Sequence, residues 1–225
     1  HTEGVHSATF SPDGKYIVTA SWDKTAKVWE TGSGKLLHSL EGHTYKVEAA
    51  EFSPDGKYIV TAGDRTAKVW EIGSGKLLQS LEGHTDRIYS ATFSPDGKYI
   101  VTSSLDKTAK VWETASGQQI HNLDGHTDEV KTATFSPDGK YIVTASGYAA
   151  KVWEFATGKL IHSLEGHTLW VNPDRYSPDG KYIVTTSIDK TAKVWEVVSG
   201  KQIHSLKGHS GWVYSSTFSP DVKYI

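Results

Sequence analysis

The sequence contains no cysteine and no long apolar run, and its charges nearly balance. The absence of cysteine excludes disulfides and thiolate metal sites without identifying a compartment, because cytosolic and exported proteins alike can lack it. No apolar stretch approaches the roughly 18 residues that a membrane-spanning helix needs. With 24 Lys and Arg residues against 26 Asp and Glu, no basic field exists to hold a phosphate backbone, which argues against nucleic acid as a partner.

The 225 residues consist of one motif that is copied along the chain. The string SPDGKYIVT begins at Ser11, Ser53, Ser94, Ser136 and Ser177, and a shortened form begins at Ser219. A His followed by Thr or Ser opens every copy, at intervals of 42, 41, 42, 41 and 42 residues. Because no linker or low-complexity segment interrupts the series, we predict one domain of stacked units: residues 1–42, 43–83, 84–125, 126–166, 167–208 and a partial 209–225.

Each copy predicts four short strands. In the first copy they cover residues 5–10, 15–21, 26–30 and 35–40, separated by turns rich in Asp, Gly, Ser and Pro. The second of these segments is rich in β-branched and aromatic residues, and it is apolar on both faces. A sheet of about 42 residues cannot bury two apolar faces alone, so consecutive sheets must stack on one another.

The Gly-His step, the SPDG turn, the Asp-Lys-Thr turn and the strand ending KVWE together resemble the WD-repeat β-propeller family over the whole chain. Glu stands after the Trp, where the family more often has Asp. The resemblance implies an all-β propeller in which four-stranded blades surround a central channel, with the first strand innermost. It implies five complete blades and a partial sixth, and from the family we expect them to be part of a seven-bladed ring.

Closure of the ring is not provided by these residues alone. Family rings close with a blade that combines strands from both ends of the chain, which removes exposed edges. Here Ile225 falls inside the predicted second strand of the sixth blade, and no Met precedes His1. We therefore expect part of a larger propeller; the alternatives are a closed five-bladed ring and an open arc completed by a second chain.

Each copy also holds a His and a hydroxyl residue, and all complete copies but the fourth hold an Asp, which are the ingredients of a nucleophilic triad. A catalytic site needs one such set, whereas this chain repeats it, so we predict a structural role. The family resemblance implies a hydrogen-bonded tetrad of His, Asp, a strand-two hydroxyl and Trp, with Thr19 and Ser21 as alternatives for the hydroxyl in the first blade. The predicted tetrad residues are His1, Asp23 and Trp29; His43, Asp64 and Trp70; His84, Asp106 and Trp112; His126 and Trp153; His167, Asp189 and Trp195. Because the fourth blade lacks the Asp, we predict that the His126 network is the weakest.

Four further histidines occupy one place on the predicted outer strand, and Gln79 takes that place in the second blade. They are His38, His121, His162 and His204. Since they lie on different blades, their side chains should be too far apart to share an ion at about 2.1 Å. We predict solvated positions on the rim, with no metal and no cofactor.

The copies differ most around the start of the first strand and just before the turn Asp. In the family both places open on one face of the disc, here called the top face. Its predicted partner-binding residues are Trp22, Tyr45, Lys46, Arg87, Tyr89, Leu105, Glu129, Lys131, Trp170, Asn172, Ile188, Trp212 and Tyr214. Aromatic residues beside Arg and Lys favour a binding surface, because they bury large rigid areas and keep a polar handle. The alternative is drift at tolerant loop positions.

The fifth blade carries an unusual first strand. Pro173 removes a donor from the strand ladder, and Asp174 stands where four other copies have Ala. A buried carboxylate is costly unless it is paired. The segment either lines an opening of the channel or is a local defect, and Asp174 with Arg175 is the one candidate pair for channel chemistry.

These observations predict a non-enzymatic scaffold or sensor module that binds a protein or peptide on the top face, in a cytoplasmic setting. Three alternatives stay open: the sensor portion of a larger signalling ATPase or kinase, a designed or reconstructed propeller without a natural partner, and an enzyme that uses the channel.

Overall fold

The computed structural model describes residues 1–172 and 175–225, and it contains five four-stranded antiparallel sheets, with no helix in the described part. The all-β architecture of repeated four-stranded blades is therefore confirmed, as part of a β-propeller. Within every sheet the strands follow chain order from the first to the fourth.

The strand bounds repeat with the period of the sequence. Blades one and two comprise β1 (Val5–Phe10), β2 (Tyr16–Ser21), β3 (Ala26–Glu30), β4 (Leu36–Leu40), β5 (Ala49–Phe52), β6 (Tyr58–Ala62), β7 (Thr66–Glu71) and β8 (Leu77–Glu82). Blades three and four comprise β9 (Ile88–Phe93), β10 (Tyr99–Ser104), β11 (Ala109–Glu113), β12 (Gln119–Leu123), β13 (Val130–Phe135), β14 (Tyr141–Ser146), β15 (Ala149–Glu154) and β16 (Leu160–Glu165). Blade five comprises β17 (Val171–Tyr176), β18 (Tyr182–Ser187), β19 (Ala192–Glu196) and β20 (Gln202–Leu206).

The turn after each first strand is fixed by its own side chains. In blade one the Ser11 hydroxyl donates to the Asp13 carboxylate at 2.7 Å and accepts the Tyr16 backbone N–H at 2.9 Å. Gly14 adopts a φ of +70°, a left-handed conformation that a side chain would strain. The same arrangement recurs in the other four complete copies, and the Ser219 and Asp221 bonds keep it in the last copy, where Val222 takes the glycine position at a φ of +61°. The SPDG string is therefore explained by the turn it makes.

Hydrophobic cores lie between consecutive sheets. Val18, Val28 and Leu40 of blade one pack against Phe52 and Trp70 of blade two, and equivalent clusters join the later blades. A sheet with a neighbour on each side buries both of its faces, which explains why the second strand is apolar on both sides. At the free face of blade one this cover is lacking: Phe10 is 61% exposed, whereas its counterpart Phe52 is 5% exposed.

Residues 209–225, all of which are described, form no strand, so the partial sixth blade expected there has no strand of its own. A first strand pairs with the second strand of its own blade, as β1 pairs with β2, and only the beginning of that partner strand is present here. The segment nevertheless lies where a sixth blade would pack. Val213 and Phe218 cover Val184 and Val194 of blade five.

Candidate functional site

The tetrads form continuous hydrogen-bonded chains, shown most fully in blade three. The Trp112 indole N–H donates to Thr102 Oγ1 at 2.9 Å, and that oxygen lies 2.7 Å from His84 Nε2. Asp106 lies 2.7 Å from His84 Nδ1. An indole N–H can only donate, so the Thr102 proton is available for Nε2, and the His84 Nδ1–H donates to the carboxylate.

A threonine supplies the hydroxyl in every complete blade, which decides between the two candidates left open above. In blade one Trp29 donates to Thr19 at 2.9 Å, whereas the Ser21 hydroxyl accepts the Asp23 backbone N–H at 3.1 Å. The threonines of the tetrads are Thr19, Thr61, Thr102, Thr144 and Thr185. The serine therefore belongs to the turn.

The tetrad Asp is held as a carboxylate. Asp106 also accepts the backbone N–H groups of Thr85 and Thr108 at 3.0 Å each, and the Thr108 hydroxyl at 2.7 Å. Burial alone would raise the pKa of Asp106, but the hydrogen bonds from Thr108, His84 and Thr85 outweigh it and lower that pKa. The same balance lowers the pKa of Asp189 to about 2.

The tetrad geometry does not suit nucleophilic catalysis. Thr102 is fully buried and its oxygen already accepts the Trp112 N–H. Burial lowers the pKa of His84 although Asp106 opposes the shift, so the imidazole stays neutral. A hydroxyl that is covered by its own sheet cannot reach a substrate. The four side chains instead link the strands of one blade by hydrogen bonds.

Blade four keeps only part of this hydrogen-bonded tetrad. His126 Nε2 lies 2.6 Å from Thr144 Oγ1, and Trp153 donates to the same oxygen at 2.8 Å. Across residues 1–172 and 175–225, His126 Nδ1 has no hydrogen-bond partner. Burial first, and the charge of Lys151 second, lower the pKa of His126 to about 4.

The two variable places of the top face are joined by backbone hydrogen bonds. The residue before the turn Asp donates its N–H to a residue just ahead of the first strand: Trp22 to Gly4 at 3.0 Å, and Leu105 to Arg87 at 2.9 Å. Ile188 donates likewise to Trp170 at 3.2 Å. The structure therefore brings both sets of predicted residues to one edge of the blades.

Aromatic and basic side chains of the top face pair across blade boundaries. The Lys46 ammonium lies 4.0 Å from the centre of the Trp22 ring, and the Arg87 guanidinium lies 5.4 Å from that of Tyr45. The Lys131 ammonium lies 4.2 Å from the Tyr89 ring and 5.8 Å from the Trp170 ring. Each cation–π pair joins one blade to the next, so the pairs form a row along the top face.

Between blades three and four the row is reinforced by hydrogen bonds. The Tyr89 hydroxyl donates to Glu129 at 2.7 Å, and the Lys131 ammonium lies 2.5 Å from the same carboxylate. Burial would lower the pKa of Lys131, but its contacts with Glu129 and Tyr89 outweigh this and raise it. These contacts hold the Tyr89, Glu129 and Lys131 side chains against one another.

The remaining top-face residues differ in their surroundings. Trp212 and Tyr214 are more than half exposed and lie edge to face, with ring centres 6.0 Å apart. Asn172 donates its side-chain amide to the Val213 carbonyl at 2.7 Å, so it ties blade five to the following segment. None of the three added tryptophans is buried between sheets: Trp22, Trp170 and Trp212 are 41%, 37% and 60% exposed.

The rim histidines are not simply solvated, and that prediction is wrong for three of the four. His38, His121 and His162 are half-buried, because a left-handed Gly in the next blade brings its backbone against each ring. His162 Nε2 lies 2.8 Å from the Val198 carbonyl. The equivalent Gln79 amide donates to the Ala115 carbonyl at 2.9 Å. His204 alone is exposed.

One further charged residue, Glu51, becomes visible when the first strands of the copies are compared. The channel-lining position holds Thr in the first, third, fourth and sixth copies, but Glu51 in the second and Arg175 in the fifth. Both line a cavity of about 510 Å³ together with Thr92 and Thr134. Burial raises the pKa of Glu51 to about 7 although the Phe93 N–H opposes the shift. Repeat comparison at this strand position would have found it.

Of the pair proposed above for channel chemistry, Asp174 lies outside the described residues, as does the neighbouring Pro173. Within the described ranges, no three His, Asp or Glu side chains gather closely enough to hold a metal ion. No helix in those ranges is long and apolar enough to cross a membrane.

Comparison with known proteins gives one family. A profile described as "WD domain, G-beta repeat" matches residues 1–30, 34–71, 75–113, 117–154, 158–196 and 200–225. One similar protein is the dynein assembly factor with WD repeat domains 1 of Xenopus laevis, 44% identical over 43 residues, which is 19% of this chain and 10% of that protein. Another is the ribosome biogenesis protein BOP1 homolog of Drosophila grimshawi, 44% identical over 41 residues, or 18% of this chain and 5% of that protein. These matches span about one blade and only a small part of each relative, whereas the family profile recurs along the whole sequence, and the chain belongs to the WD-repeat family.

Proposed function

We propose that this chain is a non-enzymatic interaction module that binds a protein or peptide on its top face. WD-repeat domains generally mediate protein–protein interactions, and the names of the two relatives describe an assembly factor and a biogenesis protein. The observation that carries the proposal is the row of cation–π pairs. The residues that form this row differ from copy to copy, whereas the strands around them keep the repeated sequence.

The row supports binding for two physical reasons. Its aromatic rings keep large exposed areas, so a partner can bury apolar surface on them. Its cations are already placed against those rings and against Glu129, so little side-chain entropy remains to be lost when a partner docks. A flexible partner segment that carries aromatic and acidic side chains would suit this alternation of rings and positive charges.

The test is selection of peptides from a random display library against the immobilised chain, followed by affinity measurements on variants. Replacing Trp22, Trp170 and Trp212 by Ala should weaken selected peptides at least about tenfold, since each ring is an exposed anchor. The matched control replaces Leu78, Ile120 and Ile161 by Ala, which are comparably exposed apolar residues on the outer strands. Peptides that bind the tryptophan variant as tightly as the parent chain, or that respond only to the control variant, would refute the assignment. Recovery of no peptide at all would favour a scaffold without a natural partner.

The sensor role within a larger signalling protein is the narrower form of this proposal. It requires the same top face, so the affinity test applies to it without change.

A further inference from the structure

Blades two and four form a matched pair within the chain. In both, the turn after the second strand is one residue shorter than in the other blades. Asp64 and Gly147 are equivalent, because each lies 21 residues after its Gly-His histidine. The carbonyl of each also accepts a backbone N–H from the next blade, from Ile88 at 2.9 Å and from Val171 at 2.8 Å. The two turns therefore occupy the same place, and one carries a carboxylate where the other carries none.

In blade two that carboxylate is surrounded by donors. Asp64 lies 3.2 Å from His43 Nδ1, and it accepts the Thr44 backbone N–H at 2.8 Å and the Thr44 hydroxyl at 2.9 Å. It also accepts the Thr66 N–H and hydroxyl at 3.0 and 2.7 Å.

Blade four keeps the first three of these donors. His126 corresponds to His43, and Thr127, with both its N–H and its hydroxyl, corresponds to Thr44; Ala149 replaces Thr66. In the part of the chain that the structure describes, neither His126 Nδ1 nor the Thr127 N–H meets an acceptor. His126 as a whole is only 8% exposed, and its Nδ1 has no protein partner in the described ranges.

The free donors open into a cavity. About 460 Å³ of space is lined by His126, Thr127, Tyr148 and Lys151, here called the blade-four notch. The corresponding cavity of blade two is lined by Asp64, which covers His43. The Lys151 ammonium, which donates to Ser163 at 3.2 Å, brings one positive charge to the notch. Glu165, His167 and Tyr148 also face it, and Asp128 lies beside Gly147.

We propose that the blade-four notch binds a carboxylate group supplied by another molecule. The group takes the place that the Asp64 carboxylate occupies in blade two, accepting from His126 Nδ1–H, the Thr127 N–H and the Thr127 hydroxyl. A planar group with two oxygens matches these donors, because that is the group they hold in the equivalent blade. This site is separate from the row of cation–π pairs and does not depend on the proposed function.

The test uses the whole chain, labelled with ¹⁵N, and sodium acetate as the probe. At pH 7, acetate should shift the His126 ring and Thr127 amide signals with a saturating curve in the millimolar range, whereas sodium chloride at equal ionic strength should not. Bound acetate should also raise the pKa of His126 by about one unit, since a nearby negative charge favours the imidazolium. His84, whose Nδ1 is already paired with Asp106, is the internal control.

Three variants make the test specific. The first transfers the blade-two turn into blade four, as Ser146→Gly, Gly147→Asp, Tyr148→Arg and Ala149→Thr, and should abolish the acetate response. All four positions change together because Gly147 has a φ of +52°, where a lone added side chain would be strained. Lys151→Gln should weaken acetate binding several-fold, and Glu165→Gln should tighten it, without altering the donors themselves.

A response that is linear rather than saturating, or that persists in the turn-transfer variant, would overturn the proposal. So would inorganic phosphate binding as tightly as acetate, because the notch would then be a general anion site. If the turn-transfer variant fails to fold, the opposite effects of Lys151→Gln and Glu165→Gln decide the matter, and equal affinities in both would refute it.

Discussion

The tetrads predict a specific cost for removing one carboxylate. In Asp106→Ala, four hydrogen bonds are lost, but their donors differ in what replaces the carboxylate. Thr85 is exposed and Thr108 is half-buried, so water can reach their donors. The His84 ring is buried and cannot be rehydrated without opening the blade.

The magnitude follows from that difference. An unsatisfied buried N–H costs about 1–3 kcal/mol, and each replaced surface hydrogen bond costs about 0.5–1 kcal/mol. We therefore expect Asp106→Ala to lower the free energy of unfolding by about 3 kcal/mol. Urea unfolding, followed by tryptophan fluorescence, measures the change, and hydrogen exchange should locate it in blade three.

A double-mutant cycle separates the buried donor from the rest. In a His84→Ala background no imidazole N–H is left unpaired, so the further change Asp106→Ala should cost only about 1 kcal/mol. A cost below about 1 kcal/mol for Asp106→Ala in the parent chain, or equal costs in both backgrounds, would refute the reasoning.

The same variant should alter the response to acid. The pKa of Asp106 is lowered in the folded chain, so the stability it contributes is complete above about pH 4 and is lost as the pH falls through the lowered value. The pKa of His84 is also lowered, and Asp106 is the group that limits this shift. Without Asp106 the His84 pKa should fall further, so the variant should lose stability more steeply than the parent as the pH falls below about 6.5.

Three further outcomes are expected. Burial lowers the pKa of His126 to about 4, so the neutral imidazole stabilises blade four fully above about pH 6.5 and progressively less as the pH falls to 4. Hydrogen exchange should therefore show blade four opening before blade three on acidification. Equal protection of the two blades would contradict this. Burial raises the pKa of Glu51 to about 7, so the free energy of unfolding should fall as the pH rises from about 4.5 through 7. In urea titrations, Glu51→Thr should be more stable than the parent by about 2 kcal/mol at pH 8 and by far less at pH 4. Lys107 has a φ of +71°, so Lys107→Asn should raise the free energy of unfolding by several tenths of a kcal/mol, while Lys110→Asn, in the adjacent strand, should lower it.

The strands could be predicted because the residue types at the turns between them determine the geometry of those turns. Gly14 and the Ser11 and Asp13 side chains form a turn with one geometry, and the structure repeats it in each copy. The predicted first and third strands of blade one agree with β1 and β3 residue by residue. The second and fourth begin one residue later, at Tyr16 and Leu36, where the turns end.

The tetrad hydroxyl could not be predicted, because Thr19 and Ser21 lie two residues apart and alternation places them on one face. The position along the strand decides between them. Thr19 lies inside the β2–β3 ladder, opposite Lys27, and receives the Trp29 N–H, whereas Ser21 is the last residue of β2 and accepts the Asp23 N–H of the turn. Which hydroxyl the Trp29 side chain reaches depends on the pairing of β2 with β3, which the alternation within one strand does not show.

The rim histidines show a second limit. Their burial depends on how closely one blade approaches the next, which is a property of the stack and not of any single strand. The left-handed glycines that allow the approach, Gly75, Gly158 and Gly200, are visible in the sequence, but nothing within one copy pairs them with His38, His121 and His162 of the preceding blade.

The informative residues of this chain are those where one copy departs from the others, and the departures differ in physical kind. Along the top face they add surface: rings and cations that the blade does not need for its own packing. At Gly147 a departure removes a group, so the donors that served a carboxylate remain in place without one. At Glu51 it places a charge where the other copies carry a neutral hydroxyl or Arg175. An addition can be lost without harm to the blade, whereas a removal or a buried charge costs stability that the remaining blades must supply. The blade-four and channel departures therefore cannot be explained by the stability of the blade, just as the top-face additions cannot be explained by its packing.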